Sequence, residues 1–114
     1  MIKHMAAGGE IVNVGAAGAA SPSVGMAPYA ASKAGVMALT EILAEELKGR
    51  GIRINAVSPT IIDTPANRRD KPDADTSRWV QPSDAAKVIA FLLSQDAAAI
   101  TGMEIKLSLG RQAE

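Results

Sequence analysis

The sequence of 114 residues contains no cysteine and only one Trp, one Tyr and one Phe. Without cysteine it has no disulfide, no thiol nucleophile and no thiolate ligand for a metal. Because 47% of the residues are hydrophobic but only 3% are aromatic, the core has to be built from Ala, Val, Ile, Leu and Met. No apolar run reaches the roughly 20 residues that span a bilayer. We therefore expect a cytoplasmic protein without a membrane segment.

An excess of one charge is also lacking, because twelve Lys and Arg residues balance twelve Asp and Glu residues. Such a chain has no net field that attracts nucleic acid or anionic lipid, so we predict neither as a partner. The single histidine, His4, lies near the first residue, and the carboxylates of residues 63–75 show no ligand spacing, so we predict no metal site. The length predicts one domain over residues 1–114.

Strand-like and helix-like patterns alternate along the chain. The predicted elements are a buried strand at residues 11–14, a helix at 28–48, a strand at 52–57, a helix that begins at Pro82 and an edge strand at 103–109. The charged residues 60–80 predict a long surface loop, with or without a short helix. This alternation is typical of an α/β fold with parallel strands and right-handed crossovers.

The helix at residues 28–48 is apolar on more than one side. A stripe of larger side chains recurs at helical spacing, and the first half is rich in Ala and Gly on most sides. We therefore expect one face to lie on the sheet and another to meet a second helix or subunit. The stripe consists of Val36, Leu39, Leu43 and Leu47.

The most informative segment is Tyr-Ala-Ala-Ser-Lys at residues 29–33. On a helix Tyr29 and Lys33 are four residues apart, so their side chains share one face. A phenol has an ordinary pKa of about 10, and a neighbouring ammonium lowers that pKa by favouring the phenolate. The pair can therefore act as a general acid or base. On spacing alone, a solvated Tyr-Lys pair is the more common occurrence.

The surrounding motifs, in matching order and spacing, resemble the short-chain dehydrogenase/reductase family over nearly the whole chain. The matching segments are the strand at residues 11–15, the helix at 29–36, the strand at 52–59, the turn at 63–65, the helix at 81–94 and the approach to the last strand at 100–102. The resemblance implies a partial Rossmann-like parallel sheet of about three strands and two main helices. It also implies hydride transfer that depends on NAD(P)(H).

The family's site residues carry over by position. The resemblance implies that Tyr29 donates a proton to the reduced group, and that Lys33 lowers the pKa of Tyr29 and bonds the nicotinamide ribose. It further implies cofactor contacts from Pro59, from the backbone of Ile62 and from Thr64 near the carboxamide. Asn13 is expected to pack within its strand.

One departure from the family concerns the serine that usually precedes the tyrosine by thirteen residues. That position holds Ala16, which cannot donate a hydrogen bond to a carbonyl oxygen, and loss of such a donor costs about 2.7–4 kcal/mol. Ser21 and Ser23 are expected to be loop residues. The chain resembles the dihydropteridine reductase subgroup in this respect. The further matching residues are the pairs Gly15-Ala16 and Gly25-Met26, the segments 63–68 and 72–75, and Trp79. Alternatively, residues 67–79 are a solvated loop anchored by Trp79.

A second departure is that no glycine-rich turn follows a strand and opens a helix, the pattern that binds a dinucleotide pyrophosphate. The chain thus resembles the C-terminal half of the family, without the nucleotide-binding half. We expect it to bind NAD(P)(H) weakly alone and to be inactive as an isolated chain. It is expected to be complete only with a nucleotide-binding partner chain or within a longer parent chain. We also expect a homo-oligomer through the Tyr29 helix, the bare edge of the strand at 11–14, or both. The alternatives are a non-catalytic oligomerisation module, a truncated pseudoenzyme or a fragment without a separate role.

Overall fold

A computed structural model describes residues 8–15 and 27–108, with the backbone alone for residues 27–30. Within these ranges the strands are β1 (Glu10–Val14), β2 (Arg53–Pro59) and β3 (Glu104–Leu107), and the α-helices are α1 (Ala27–Leu47), α2 (Pro65–Asp70) and α3 (Pro82–Leu92). The predicted order of strands and helices is confirmed, and α2 is the short helix of the charged loop. The expected loop serines, Ser21 and Ser23, lie outside the described residues, as does Ala16.

The described strands form one parallel sheet in the order β1-β2-β3. Val12 lies opposite Asn55, and Ala56 lies opposite Glu104. The predicted fold class, an α/β unit with three parallel strands, is therefore confirmed. β3 lies at an edge of this sheet, as expected.

β2 is the core of the sheet, and five of its seven residues are buried. Successive side chains of a strand point to opposite faces, and the two faces of β2 contact different helices. Ser58 contacts Met37 of α1, whereas Arg53 donates to the Leu92 carbonyl at the end of α3 at 3.0 Å. Coverage on both faces explains why the strand is buried over five consecutive residues.

Polar side chains on the α3 face of β2 secure the connections around it. Asn55 is buried, donates to the Ile100 carbonyl and accepts from the Met103 amide, both at 3.0 Å. Arg53 also donates to the Ser94 carbonyl at 3.0 Å. Because a buried amide left without partners is costly, these bonds fix the chain that leads into β3.

The buried side of α1 differs from the predicted stripe. Leu39 is 52% exposed, and the buried residues of the helix from residue 31 onward are Thr40, Ala44 and Leu47. Thr40 is tolerated inside because its hydroxyl donates to the Val36 carbonyl at 2.7 Å and accepts from Asn13 at 3.1 Å. Its small size, like that of Ala44, allows the helix to lie close to the sheet, which turns Leu39 outward.

In the sequence, apolar Met103, Ile105 and Leu107 alternate with polar Glu104 and Lys106, a pattern that predicts one buried face, and β3 departs from it. Met103 is 51% exposed, and Glu104 is partly buried. The reason is a hydrogen bond, because the Ser58 hydroxyl donates to the Glu104 carboxylate at 3.1 Å. Leu93, which follows the last residue of α3, is also exposed.

None of the helices in the described ranges combines the length and the apolar character that crossing a bilayer requires.

Candidate active site

Lys33 lies at the carboxyl end of β1. Its ammonium group donates to the Val14 carbonyl at 3.3 Å, so the second turn of α1 is tied to the last residue of the strand. Tyr29 precedes Lys33 by one helical turn, and its backbone is helical. The side chain of Tyr29 lies outside the described atoms, so its approach to Lys33 stays a prediction.

A second group of predicted residues follows the carboxyl end of β2. Pro59 ends the strand, and Ile62 and Thr64 lie in the turn that leads into α2. The Asn67 side chain donates to the Ile62 carbonyl at 2.8 Å, and the Asn67 amide donates to the Thr64 hydroxyl oxygen at 3.1 Å. Thr64 caps the helix as an acceptor, which leaves its own hydroxyl hydrogen for a ligand.

The two groups share one edge of the sheet because β1 and β2 are parallel neighbours. Ligands of open parallel sheets bind outside the carboxyl ends of the strands. The donors at this edge, the Lys33 ammonium and the Thr64 hydroxyl, suit a ribose and a carboxamide. They fit the nicotinamide side of a dinucleotide.

The described residues offer no equivalent for the adenosine side. The connection from β2 to α2 is a strand-to-helix turn whose residues all lie in the described ranges. It contains no glycine between Thr60 and Thr64. A pyrophosphate is usually held by a glycine-rich turn at a helix N-terminus. Within the same ranges, no three Asp, Glu or His side chains lie close enough to hold a metal.

Sequence reasoning missed the role of Asp63. Its carboxylate accepts two hydrogen bonds from Arg68, at 2.6 and 2.9 Å, and a third from Gln81 at 3.2 Å. Arg68 also donates to the Thr76 hydroxyl at 3.4 Å. We call these four residues the Asp63 cluster. The Arg68 hydrogen bonds, followed by that of Gln81, lower the pKa of Asp63 from its ordinary value of 3.8.

A second missed feature is the contact between the ends of β1 and β2. Gly15 is buried, and a Cβ atom at this position would lie 2.6 Å from the Ser58 hydroxyl oxygen. Ser58 is fully buried and lies 3.9 Å from the Met37 sulfur. In the sequence, Gly15 follows β1 and Ser58 lies near the end of β2. That these two residues are in contact follows only from the parallel register of the strands, which the sequence does not give.

Comparison with known proteins decides the family. A family model described as enoyl-(acyl carrier protein) reductase matches residues 1–111. The chain belongs to the short-chain dehydrogenase/reductase family. It is 38% identical to the 3-oxoacyl-[acyl-carrier-protein] reductase FabG of Thermotoga maritima, covering 90% of this chain and 45% of that protein. It is 37% identical to dehydrogenase/reductase SDR family member 4 of Homo sapiens, covering 90% and 41%.

Solved structures of short-chain dehydrogenases/reductases agree with the fold. The promiscuous reductase LugOII superposes with a TM-score of 0.84 at 26% identity, over 96% of this chain and 46% of that one. Actinorhodin polyketide ketoreductase with NADPH superposes with a TM-score of 0.76 at 34% identity, over 88% and 46%. The chain thus spans about half the length of the relatives it matches.

Proposed function

We propose that this chain is the catalytic part of an NAD(P)-dependent oxidoreductase of the short-chain dehydrogenase/reductase family. In this proposal it binds the nicotinamide side of the cofactor, and a nucleotide-binding part binds the adenosine side. The observation that carries the proposal is the bond from Lys33 to the Val14 carbonyl. It holds an ammonium group at the carboxyl end of a parallel strand, beside the strand that leads to Thr64.

Hydride transfer is the chemistry that a nicotinamide would supply when bound. Lys33 would bond the nicotinamide ribose and lower the pKa of the Tyr29 phenol by stabilising its anion. Tyr29 would donate the proton that accompanies hydride transfer to the substrate. Thr64 would hold the carboxamide through its hydroxyl, with Pro59 and the Ile62 backbone as further cofactor contacts.

We further propose that the substrate is of the quinonoid dihydropterin class. Such a substrate accepts hydride without forming a full alkoxide, so a serine donor is less needed than in ketone reduction. The support is Ala16 at the position where the family usually has serine, together with the resemblance of residues 63–68, residues 72–75 and Trp79 to dihydropteridine reductases.

The two halves of the cofactor provide a direct test on the purified chain. We expect reduced nicotinamide mononucleotide to bind weakly but saturably and to shift the backbone NMR signals of Lys33, Ile62 and Thr64. Adenosine monophosphate is the matched control and should leave these signals unchanged. If both compounds shift these signals equally, or if neither compound shifts them, the assignment of the nicotinamide side is contradicted.

Catalytic competence can be tested with a fusion. The region of the Thermotoga maritima FabG that precedes its matched segment would be joined to this chain, and NADPH oxidation measured with a quinonoid dihydropterin and with a 3-oxoacyl substrate. We expect turnover of the dihydropterin alone. Tyr29→Phe in the fusion should lower kcat by about 10²–10⁴-fold with little change in NADPH affinity. Loss of both together would remove Tyr29 from the role of proton donor.

A second candidate function is a non-catalytic oligomerisation module. It is favoured by α1, where Leu39 and Ile42 are 52% and 57% exposed, and by β1, which has β2 as its only neighbour in the described sheet. Either surface fits a homo-oligomer or a nucleotide-binding partner chain. Two results together would favour this module over the oxidoreductase. The chain would form stable oligomers, and its fusion would be inactive with both substrates.

A further inference from the structure

We propose that Asp63 is a positioning residue, whose carboxylate joins the two ends of the connection at residues 60–81 and so fixes the turn at residues 62–64 that contacts the nicotinamide. This inference rests on the proposed function, because the ligand of the turn is the nicotinamide. The geometry that carries it is the convergence of three separate segments on one carboxylate.

The three segments are the exit from β2, helix α2 and the start of α3. Asp63 itself follows β2, Arg68 comes from α2, and Gln81 occupies the N-cap position of α3. Arg68 binds both carboxylate oxygens, a two-point geometry that fixes orientation as well as distance. The backbone closes the same connection, since the Asp63 amide donates to the Val80 carbonyl at 2.8 Å.

Helix α2 transmits this closure to the turn. Asn67, the neighbour of Arg68, donates from its side chain to the Ile62 carbonyl and from its amide to Thr64. One short helix therefore holds the residues on both sides of Asp63. If Arg68 loses its partner, the helix is free to shift, and the Ile62 carbonyl and Thr64 hydroxyl shift with it.

Asp63 also differs from the other carboxylates of the connection. Its side chain is only 15% exposed, whereas Asp73 is exposed and lies in the same segment. A shielded carboxylate needs the hydrogen bonds that replace its water, and Arg68 and Gln81 provide three of them. Asp73 is therefore a matched control for the loss of one charge.

The chain contains its own reporter for this closure. Trp79, the only tryptophan, lies within the connection and is buried. We expect Asp63→Asn to raise the acrylamide quenching constant of Trp79 about two- to fivefold, because the two ends of the connection separate more often. Asp73→Asn should leave the quenching unchanged, and Asp63→Glu should restore most of the protection. Unchanged quenching in Asp63→Asn would overturn the proposal.

A second measurement separates positioning from local packing. Reduced nicotinamide mononucleotide should shift the NMR signals of Ile62 and Thr64 in the unaltered chain and in Asp73→Asn, with affinity about two- to fivefold weaker in Asp63→Asn. Increased quenching without a change in affinity would overturn the positioning role while leaving the proposed function intact. An unaltered chain that binds no nicotinamide mononucleotide would overturn both, although the quenching result would still report whether Asp63 closes the connection.

Discussion

The middle strand β2 and the outer surface of α1 are opposite kinds of structure in one small chain. Every polar side chain described on β2 has a partner from elsewhere in the chain, as Asn55 and Ser58 show. The outer surface of α1 instead exposes Leu39 and Ile42 beside small residues. The comparison teaches that the polar side chains at the centre of the sheet find their partners within the described residues. In contrast, α1 exposes apolar surface that an additional element can cover.

The largest effect is expected from a change at the centre of this complete region. Asn55→Ala removes a buried amide and leaves the Ile100 carbonyl and the Met103 amide without it. We expect the free energy of unfolding to fall by about 2–4 kcal/mol, measured by urea denaturation. Gln95→Ala, which truncates an exposed amide, is the control and should change it by less than about 0.5 kcal/mol. Equal unfolding free energies of the two variants would show that the hydrogen bonds of Asn55 in β2 contribute no more to stability than an exposed amide does.

The next effect concerns the fit between the strand ends. Gly15→Ala places a Cβ atom against the Ser58 hydroxyl oxygen, and we expect a loss of about 1–3 kcal/mol in unfolding free energy. In a Ser58→Ala background the nearest remaining atoms are the Met37 sulfur at 3.6 Å and the residue 58 Cβ at 3.8 Å, which are ordinary contacts. Gly15→Ala should therefore cost less in that background. Additive losses would contradict the paired fit.

The incomplete region predicts an effect on association rather than on stability. Ile42→Asp introduces a charge into the outer surface of α1, and we expect light scattering to show a lower oligomeric state than in the unaltered chain. Because Ile42 is 57% exposed, the unfolding free energy of the monomer should change by no more than about 0.5 kcal/mol. Glu41→Gln, at an exposed position of the same helix, is the control. A monomeric unaltered chain would contradict the proposed oligomer.

The smallest effect is a response to acid at the Asp63 cluster. Hydrogen bonds from Arg68 lower the pKa of Asp63 below 3.8 in the folded chain. A lowered carboxyl pKa contributes stability at pH values above the ordinary value, and this contribution is lost as the pH falls through the folded-state value. Trp79 quenching should therefore stay low at pH 5 and rise only below pH 3.8. In Asp63→Asn this acid-dependent rise should be reduced. An identical acid response in both proteins would assign it to other carboxylates.

The sequence predicted the features that depend on local patterns. The β-branched run at residues 11–14 and Pro82 at the start of α3 located their elements, and the Tyr-Lys spacing placed both residues on α1. Features that depend on register could not be predicted. The contact of Gly15 with Ser58 requires the parallel pairing, and the outward position of Leu39 depends on how closely the helix approaches the sheet.

The site shows the same division. Thr64 was expected near the cofactor from its motif alone, and this stays a prediction; the structure shows Thr64 at the N-cap of α2, in the turn after β2. Asp63 was grouped with it, but its bonds to Arg68 and Gln81 depend on the path of the intervening residues, which no short motif determines. The chemistry of residues 16–26 and the direction of the Tyr29 side chain stay predictions.

The strand register also has a kinetic consequence. Glu10 lies opposite Arg53 and Ala56 opposite Glu104, so each pairing joins residues more than forty positions apart. Closing such long loops costs chain entropy before any ladder bond forms, and folding slows as contacts become less local. During synthesis β1 therefore leaves the ribosome before its partner strand. It stays unpaired until β2 follows, whereas α1 can form its helix in the meantime.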